Sequence, residues 1–219
     1  MKAVIFDFDG VLADSERLHF RAFAAVLARE GIALTVEENN SRFLGIDDRG
    51  CFQLALGDSG LNEPSEAKVE SLVAEKCRLY RQALQEIELF SGARKLVEEA
   101  AARGPSTIAS CATRQDVEAV LDRHGLSVYF PRFITADEIS RSKPDPECFL
   151  KALDLLRSPG NVDLQPEECL VFEDSFRGIE AAKRAGMQCV AVTHSYPAER
   201  LAAADRVIDS LSEWRWPAS

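Results

Sequence analysis

Two aspartates spaced two residues apart, Asp7 and Asp9, stand directly after the first apolar run of the chain. Alternate side chains of an extended segment point the same way, so both carboxylates are expected to face one side. Carboxylates at the end of a buried run are unfavourable unless a cation offsets their charge. A second apolar run, residues 169–172, ends in Glu173 and Asp174 and could bring further carboxylates to the same place.

This set of acids predicts a metal site. Oxygen ligands without a histidine or cysteine partner suit Mg²⁺. The predicted ligands are the acids that follow the two apolar runs: Asp7, Asp9, Glu173 and Asp174. Any one of them alone could be a helix cap or a solvated turn. For Asp174, which precedes Ser175 and a predicted helix, capping would be the better interpretation if it stood alone.

Lys143 and Ser110 are candidates for binding an anion beside such a metal. The chain has 26 Lys and Arg against 36 Asp and Glu, a formal charge of −10, so an anionic ligand needs locally placed cations. Lys143 offers a compact positive charge, and Pro144 holds its backbone out of a helix. Ser110 and the amides after it can donate hydrogen bonds at a helix start. Together they predict a phosphate site.

Alternating apolar runs and helical segments must position these residues. Strands are predicted at residues 3–6, 106–110, 132–135, 169–172, 188–192 and 206–208. Helices are predicted at residues 93–103, 114–124, 146–157 and 176–185. The alternation predicts an α/β fold with a Rossmann-like parallel sheet and helices on both faces. Ligands of such sheets bind at the carboxyl ends of the strands, where the polar residues above stand.

A long helical block interrupts this alternation after the first strand. A helix is predicted from about Ser15 to Glu30, and no strand-like run follows it up to about Ile87. The sequence therefore predicts two domains. Residues 1–14 and 89–219 would form a catalytic core, and residues 15–88 an inserted all-helical cap.

Composition argues against several partners and compartments. Acidic residues are scattered and basic residues form no stripe, which argues against nucleic acid. The six cysteines are well separated, so reduced thiols in the cytoplasm are expected rather than a zinc site. No apolar stretch approaches the length of a membrane span, and Asp7 and Asp9 interrupt the N-terminal run too early for a signal peptide. We expect a cytoplasmic monomer or weak dimer.

Four parts of the chain resemble the motifs of the haloacid dehalogenase-like superfamily. They are Asp7-Phe-Asp-Gly-Val-Leu-Ala-Asp14, Ile108-Ala-Ser110, Lys143-Pro-Asp-Pro146, and residues 173–182 with 185–187. The match covers nearly the whole chain in the family's order and spacing. It is most similar to the branch with β-phosphoglucomutase and sugar-phosphate phosphatases, whose helical cap follows the first strand. The resemblance implies a Mg²⁺-dependent phosphatase acting on a small phosphate ester through an aspartyl phosphate.

The resemblance also implies a role for each candidate residue. Asp7 matches the nucleophile and Asp9 the general acid and base, while Ser110 and Lys143 match the phosphate binders. The implied metal ligands are Asp7, the backbone carbonyl of Asp9, and Asp174, with Glu173 beside them. His19 falls where the mutase has a histidine near the acid and base, although alone it would be a partly exposed helix residue.

The cap departs from the mutase in residues 43–49. The mutase has a lysine and an arginine where this chain has Leu44 and Asp48. A mutase must hold a second phosphate while the first is transferred, so this difference favours hydrolysis. A phosphosugar mutase remains the alternative, because Arg42 or Arg49 could substitute.

Three other functions fit the residues less well. The dehalogenases of the superfamily lack the second aspartate, so Asp9 argues against dehalogenation. A phosphonate hydrolase needs a cap lysine for a Schiff base, and Lys68 and Lys76 lie outside segments 15–20 and 43–49. A non-catalytic receiver-type signalling domain keeps its acceptor on a middle strand and has no cap. Sugar phosphates lead as substrates, ahead of nucleotide monophosphates and phosphoglycolate.

Overall fold

The protein is described by a computed structural model over residues 1–43, 46, 48–58, 64–157 and 163–217. The chain forms two compact units, Met1–Asp14 with Ile87–Ser219, and Ser15–Glu86. The inserted unit thus ends at residue 86 rather than at the predicted 88. Its role as a substrate-selecting cap stays a prediction.

The described part of the inserted unit contains helices and no strand. They are α1 (Glu16–Arg29), α2 (Val36–Glu38), which leads into a π-helical turn (Asn39–Phe43), α3 (Asp48–Asp58) and α4 (Glu66–Gln82). The Phe23 ring meets the edges of Phe43 and Phe52, with ring centroids 5.4 and 4.8 Å apart. These rings belong to an apolar core within this unit, and its burial favours the helical packing.

The other unit contains a five-stranded, all-parallel sheet in the described residues. Its strands are β1 (Ala3–Phe6), β2 (Ser106–Ile108), β3 (Cys169–Glu173), β4 (Gln188–Val192) and β5 (Arg206–Ile208), in the order β2-β1-β3-β4-β5. Every residue of β1 and β3 is buried. Because side chains alternate between the faces, both faces of the sheet are covered there, as the apolar runs predicted. The α/β fold is confirmed.

Four helices of this unit lie between the described strands along the chain. They are α5 (Ala93–Ala101), α6 (Arg114–Arg123), α7 (Glu147–Leu156) and α8 (Phe176–Arg184), with α6 and α7 both between β2 and β3. Two of their starts carry a side-chain cap, because Thr113 accepts a hydrogen bond from the amide of Asp116 and Ser175 accepts one from the amide of Gly178. None of the described helices has the length and apolar character of a membrane span.

The predicted strand at residues 132–135 is wrong. This segment makes one isolated bridge, between Ala109 and Ile134. Its last residue, Thr135, forms a capping box with Glu138 and turns the chain into a 3₁₀ helix, Ala136–Glu138. The apolar residues of this segment are therefore buried, but the helix that follows ends their pairing with the sheet after one bridge.

Candidate active site

The turn after β1 carries Asp7 into the site. The Asp7 amide donates to the carbonyl of Phe172 at 2.9 Å, which extends the pairing of β1 with β3 by one residue. Gly10 then takes a φ of +75°, and a Cβ there would lie 1.9 Å from Asp174 Oδ2. Only glycine allows this close approach of backbone to carboxylate. The turn therefore brings the loops after β1 and β3 into direct contact.

Three buried carboxylates meet at this edge of the sheet. Asp7, Glu173 and Asp174 each offer one oxygen, and these atoms lie within 4.8 Å of one another. The ammonium of Lys143 lies 2.5 Å from Asp7 Oδ1 and 2.6 Å from Glu173 Oε1. Among the described residues, the ammonium of Lys143 thus pairs with two of the three acids, which leaves an excess of negative charge in a buried place.

The pKa values of the cluster follow from this arrangement. Burial, with the nearby charge of Glu173, raises the pKa of Asp7 to about 7, although Lys143 opposes the shift. Burial and the charges of Glu173 and Asp7 hold the pKa of Asp174 well above its ordinary value. For Lys143, the attraction of Asp7 and Glu173 outweighs burial and raises the pKa. A further cation would therefore favour the ionised carboxylates.

Glu173 lies deepest in the cluster and holds its neighbours in place. Its Oε2 accepts hydrogen bonds from the amides of Asp174 and Ser175, each at 2.9 Å, and from the Ser175 hydroxyl at 3.0 Å. A Cβ on Gly178 would lie 1.7 Å from Glu173 Oε1, so glycine is needed in the first turn of α8. With Oε1 on Lys143, both oxygens of Glu173 have partners, which favours a role in holding the lysine over direct metal binding.

The predicted phosphate binders lie on neighbouring loops. Ser110 is buried at the end of β2, and its hydroxyl accepts a hydrogen bond from the Ala112 amide at 2.9 Å. Burial raises the pKa of the next residue, Cys111, while the charge and backbone of Lys143 oppose the rise, which places this loop beside the lysine. Asp9 is half-buried, and its charge contributes to the raised pKa of Asp7. All the predicted core residues thus lie at the carboxyl ends of β1, β2 and β3 or beside them.

Comparison with known proteins identifies the family. The family model of the haloacid dehalogenase-like hydrolases matches residues 4–192. The chain belongs to the haloacid dehalogenase-like hydrolase family. The resemblance predicted from its motifs is thereby confirmed.

The relatives of this hydrolase include phosphatases of phosphorylated carbohydrates. It is 32% identical to a phosphorylated carbohydrates phosphatase of Thermotoga maritima, over 89% of this chain and 87% of the relative. It is also 32% identical to the validoxylamine A 7'-phosphate phosphatase of Streptomyces hygroscopicus subsp. limoneus, over 99% and 97%. The β-phosphoglucomutase of Clostridium difficile shares the fold with a TM-score of 0.81, at 24% identity over 99% and 94% of the two chains. The hydrolase is an enzyme of the phosphatase type.

Two site residues of the hydrolase, His194 and Ser195, were not predicted. They follow β4, and the Ser195 hydroxyl donates to Asp174 Oδ2. His194 Nδ1 donates to the carbonyl of Gly10 at 2.8 Å, and its ring stacks on Phe90 with centroids 3.7 Å apart. The sequence does contain a signal for them, because polar residues come directly after the apolar run of β4, as they do after β1 and β3. Polar residues at the carboxyl ends of parallel strands are the ones expected to bind ligands.

His19 belongs to a polar cluster within the inserted unit of the hydrolase. The buried ammonium of Lys76 lies 2.7 Å from His19 Nδ1 and 2.7 Å from Asp48 Oδ1, while the His19 ring stacks on Tyr80. Because an ammonium only donates, Nδ1 accepts and the ring proton lies on Nε2. Burial, with the charge of Lys76, holds the pKa of His19 well below its ordinary value, so the ring is neutral. Leu44 lies outside the described residues.

Proposed function

We propose that the protein is a Mg²⁺-dependent phosphatase that hydrolyses a small sugar phosphate through an aspartyl phosphate on Asp7. The contact that carries this proposal is the 2.5 Å pair between Asp7 and Lys143, inside a cluster of buried acids. The contact places a cation beside the proposed nucleophile, where its positive charge would offset the negative charge of the phosphate during transfer. Similarity to the phosphorylated carbohydrates phosphatase and to the validoxylamine A 7'-phosphate phosphatase supports a sugar phosphate as the substrate.

The proposed reaction has two halves. In the first, a carboxylate oxygen of Asp7 attacks phosphorus, the ester P–O bond breaks, and Asp9 gives a proton to the leaving oxygen. In the second, Asp9 takes a proton from water, whose oxygen attacks phosphorus and releases phosphate from Asp7. Lys143 and Ser110 hold the phosphate oxygens throughout.

The acids of the site fit a hard divalent cation. Three buried carboxylates with one ammonium carry excess negative charge, and all their ligand atoms are oxygens. We assign Asp7, Asp174 and the backbone carbonyl of Asp9 as the residues that would hold Mg²⁺, with Glu173 fixing Lys143 beside them. When bound, Mg²⁺ supplies charge that offsets the repulsion between the Asp7 carboxylate and the phosphate.

Chelation is expected to lower turnover by at least about 100-fold, because a catalytic metal ion contributes several kcal/mol to the transition state. Phosphate release from a panel of sugar phosphates would be measured after exhaustive EDTA treatment, and again after Mg²⁺ is restored. Incubation with EDTA already saturated with Mg²⁺ controls for effects of the chelator itself. Full activity after metal removal would show that the metal assignment is wrong.

The cations of the inserted unit support hydrolysis rather than a mutase reaction. Asp48, which stands where the mutase has an arginine, pairs with Lys76. Arg42 pairs with Asp58 and lies over the Phe43 ring. The remaining alternative, Arg49, pairs with two acids of α4, Glu66 and Glu70, at 3.3 and 3.1 Å. Each cation proposed to bind a second phosphate therefore already has a carboxylate partner within its own unit.

Incubation with β-glucose 1-phosphate and catalytic glucose 1,6-bisphosphate is expected to yield inorganic phosphate faster than glucose 6-phosphate. Each charge-assisted contact to a second phosphate is worth about 1.5–3 kcal/mol. Loss of two would weaken a bisphosphate complex by about 10²–10⁴-fold. Both products would be followed in one reaction.

The Arg42→Met and Arg49→Met variants give the control for this experiment. Neither change is expected to alter the ratio of the two products, since both arginines serve ion pairs of the inserted unit. If glucose 6-phosphate is the main product, and either variant abolishes it, the protein is a mutase.

We also propose that the enzyme works in the cytoplasm, as a monomer or weak dimer, on a free small-molecule phosphate ester. All six of its cysteines are unbridged, which suits a reducing compartment.

A further inference from the structure

The loop after β4 reaches the acid cluster through one hydroxyl. Ser195 Oγ donates to Asp174 Oδ2. Gly10 lies against the same pair, since a Cβ there would meet Asp174 Oδ2 at 1.9 Å and Ser195 Oγ at 2.9 Å. Three loops, after β1, β3 and β4, therefore converge on one carboxylate of the cluster.

Ser195 is itself held in place by its neighbours along the chain. The Thr193 amide donates to the carbonyl of Ile208 at 3.0 Å, and its hydroxyl donates to Asp209 at 3.1 Å. His194 is tied on the other side, through its 2.8 Å hydrogen bond to Gly10. A hydroxyl that its neighbours already hold in place loses little further conformational entropy when it bonds to a carboxylate. It can therefore fix the orientation of that carboxylate.

We propose that Ser195 is a positioning residue for the metal site, which sets the orientation of Asp174 toward the cation. The inference rests on the proposed function, because it assumes that Asp174 binds Mg²⁺. A hydroxyl that occupies Oδ2 selects one rotamer of the carboxylate and directs the second oxygen to the cation. Hydrogen-bond partners of this kind typically contribute 10–100-fold to metal affinity, so we expect a similar loss without the hydroxyl.

The test is Mg²⁺ binding to the purified 219-residue chain by titration calorimetry, which needs no knowledge of the substrate. Ser195→Ala is expected to weaken Mg²⁺ binding by about 10–100-fold. Ser195→Thr, which keeps the hydroxyl, is expected to restore it. Ser127→Ala removes a serine hydroxyl whose exposed hydrogen bond to Asp122 lies away from the acid cluster, and should bind Mg²⁺ as the unaltered chain does.

The Mg²⁺ dependence of turnover distinguishes a residue that positions Asp174 from one that only supports the fold. In Ser195→Ala the Mg²⁺ concentration for half-maximal activity should rise by the same factor, while kcat at saturating Mg²⁺ stays within a few-fold of the unaltered enzyme. The thermal midpoint measured in chelator identifies a variant that fails to fold, and Ser195→Thr then decides the question. Equal Mg²⁺ affinity in the unaltered chain and in a folded Ser195→Ala variant overturns the inference alone. Absence of Mg²⁺ binding by the unaltered chain overturns the metal assignment together with it.

Discussion

Replacing Asp7 with asparagine is expected to lower turnover by at least about 10⁴-fold while the chain stays folded. The amide has the shape of the carboxylate but cannot attack phosphorus. It also removes one acid from a cluster of three, where burial already raises the pKa of Asp7 to about 7. Its thermal midpoint in chelator should therefore be unchanged or higher. Phosphate release and thermal unfolding of the same preparation measure both effects.

Asp9→Asn provides the comparison for this variant, because it keeps the nucleophile and removes the proposed acid and base. We expect a smaller loss, of about 10²–10⁴-fold, which is the range of general acid-base help. Activity of Asp7→Asn close to that of the unaltered enzyme would exclude covalent catalysis by Asp7.

Replacing Lys143 with methionine is expected to have the largest effect on stability. Its ammonium is buried between Asp7 and Glu173, at 2.5 and 2.6 Å. Removing it leaves buried carboxylates without their cation, which costs about 3–5 kcal/mol in the free energy of unfolding. Activity should fall as well, because the phosphate loses its placed cation. Urea unfolding in chelator would measure the loss of stability.

The pH dependence of this loss has a defined sign. The carboxyls of the cluster have pKa values raised by folding, so their charged forms destabilise the fold as pH rises through the folded pKa. The deficit of Lys143→Met should therefore be larger above pH of about 7, where Asp7 is ionised, than below it. A deficit that grows on acidification would contradict this account of the cluster.

An exposed ion pair supplies the control for Lys143. Lys183 pairs with Asp205 at 2.7 Å, with both side chains nearly half exposed. Lys183→Met should cost no more than about 1 kcal/mol, since solvent screens such pairs. Similar losses for Lys183→Met and Lys143→Met would show that burial does not set the energy of the cluster.

Much of the core sheet could be predicted because a parallel strand buried on both faces must be apolar throughout. The predicted bounds of β1 agree with the structure for this reason. Those of β4 and β5 agree as well, although Gln188 and Arg206 at their starts are exposed. The acids after β1 and β3 were recognisable because they interrupt such runs at the edge where parallel strands end together. Their convergence within 4.8 Å follows from the strand order, which places β3 beside β1.

What could not be predicted depends on contacts between residues distant in sequence. The segment 132–135 is as apolar as a strand, but the turn that follows it ends the pairing after one bridge. Lys76 meets His19 across 57 residues, and neither periodicity nor spacing indicates that Asp48 would join them. Ser195 follows the apolar run of β4 and could have been suspected as a site residue, but its bond to Asp174 depends on how two loops pack. Such pairings are set by tertiary packing rather than local pattern.

Trapping a phosphoenzyme tests the central claim most directly. The enzyme would be mixed with a sugar phosphate that it hydrolyses, quenched rapidly in acid, reduced with borohydride and digested for mass spectrometry. An acyl phosphate on Asp7 is converted to homoserine, so we predict a modified Asp7 peptide that appears only with substrate. With acetyl phosphate as the donor, whose leaving group needs no proton, the amount should be greatest in Asp9→Asn, because only hydrolysis of the intermediate is then slowed. Steady release of phosphate with no modification of Asp7 at any quench time, in either protein, would contradict the proposed mechanism.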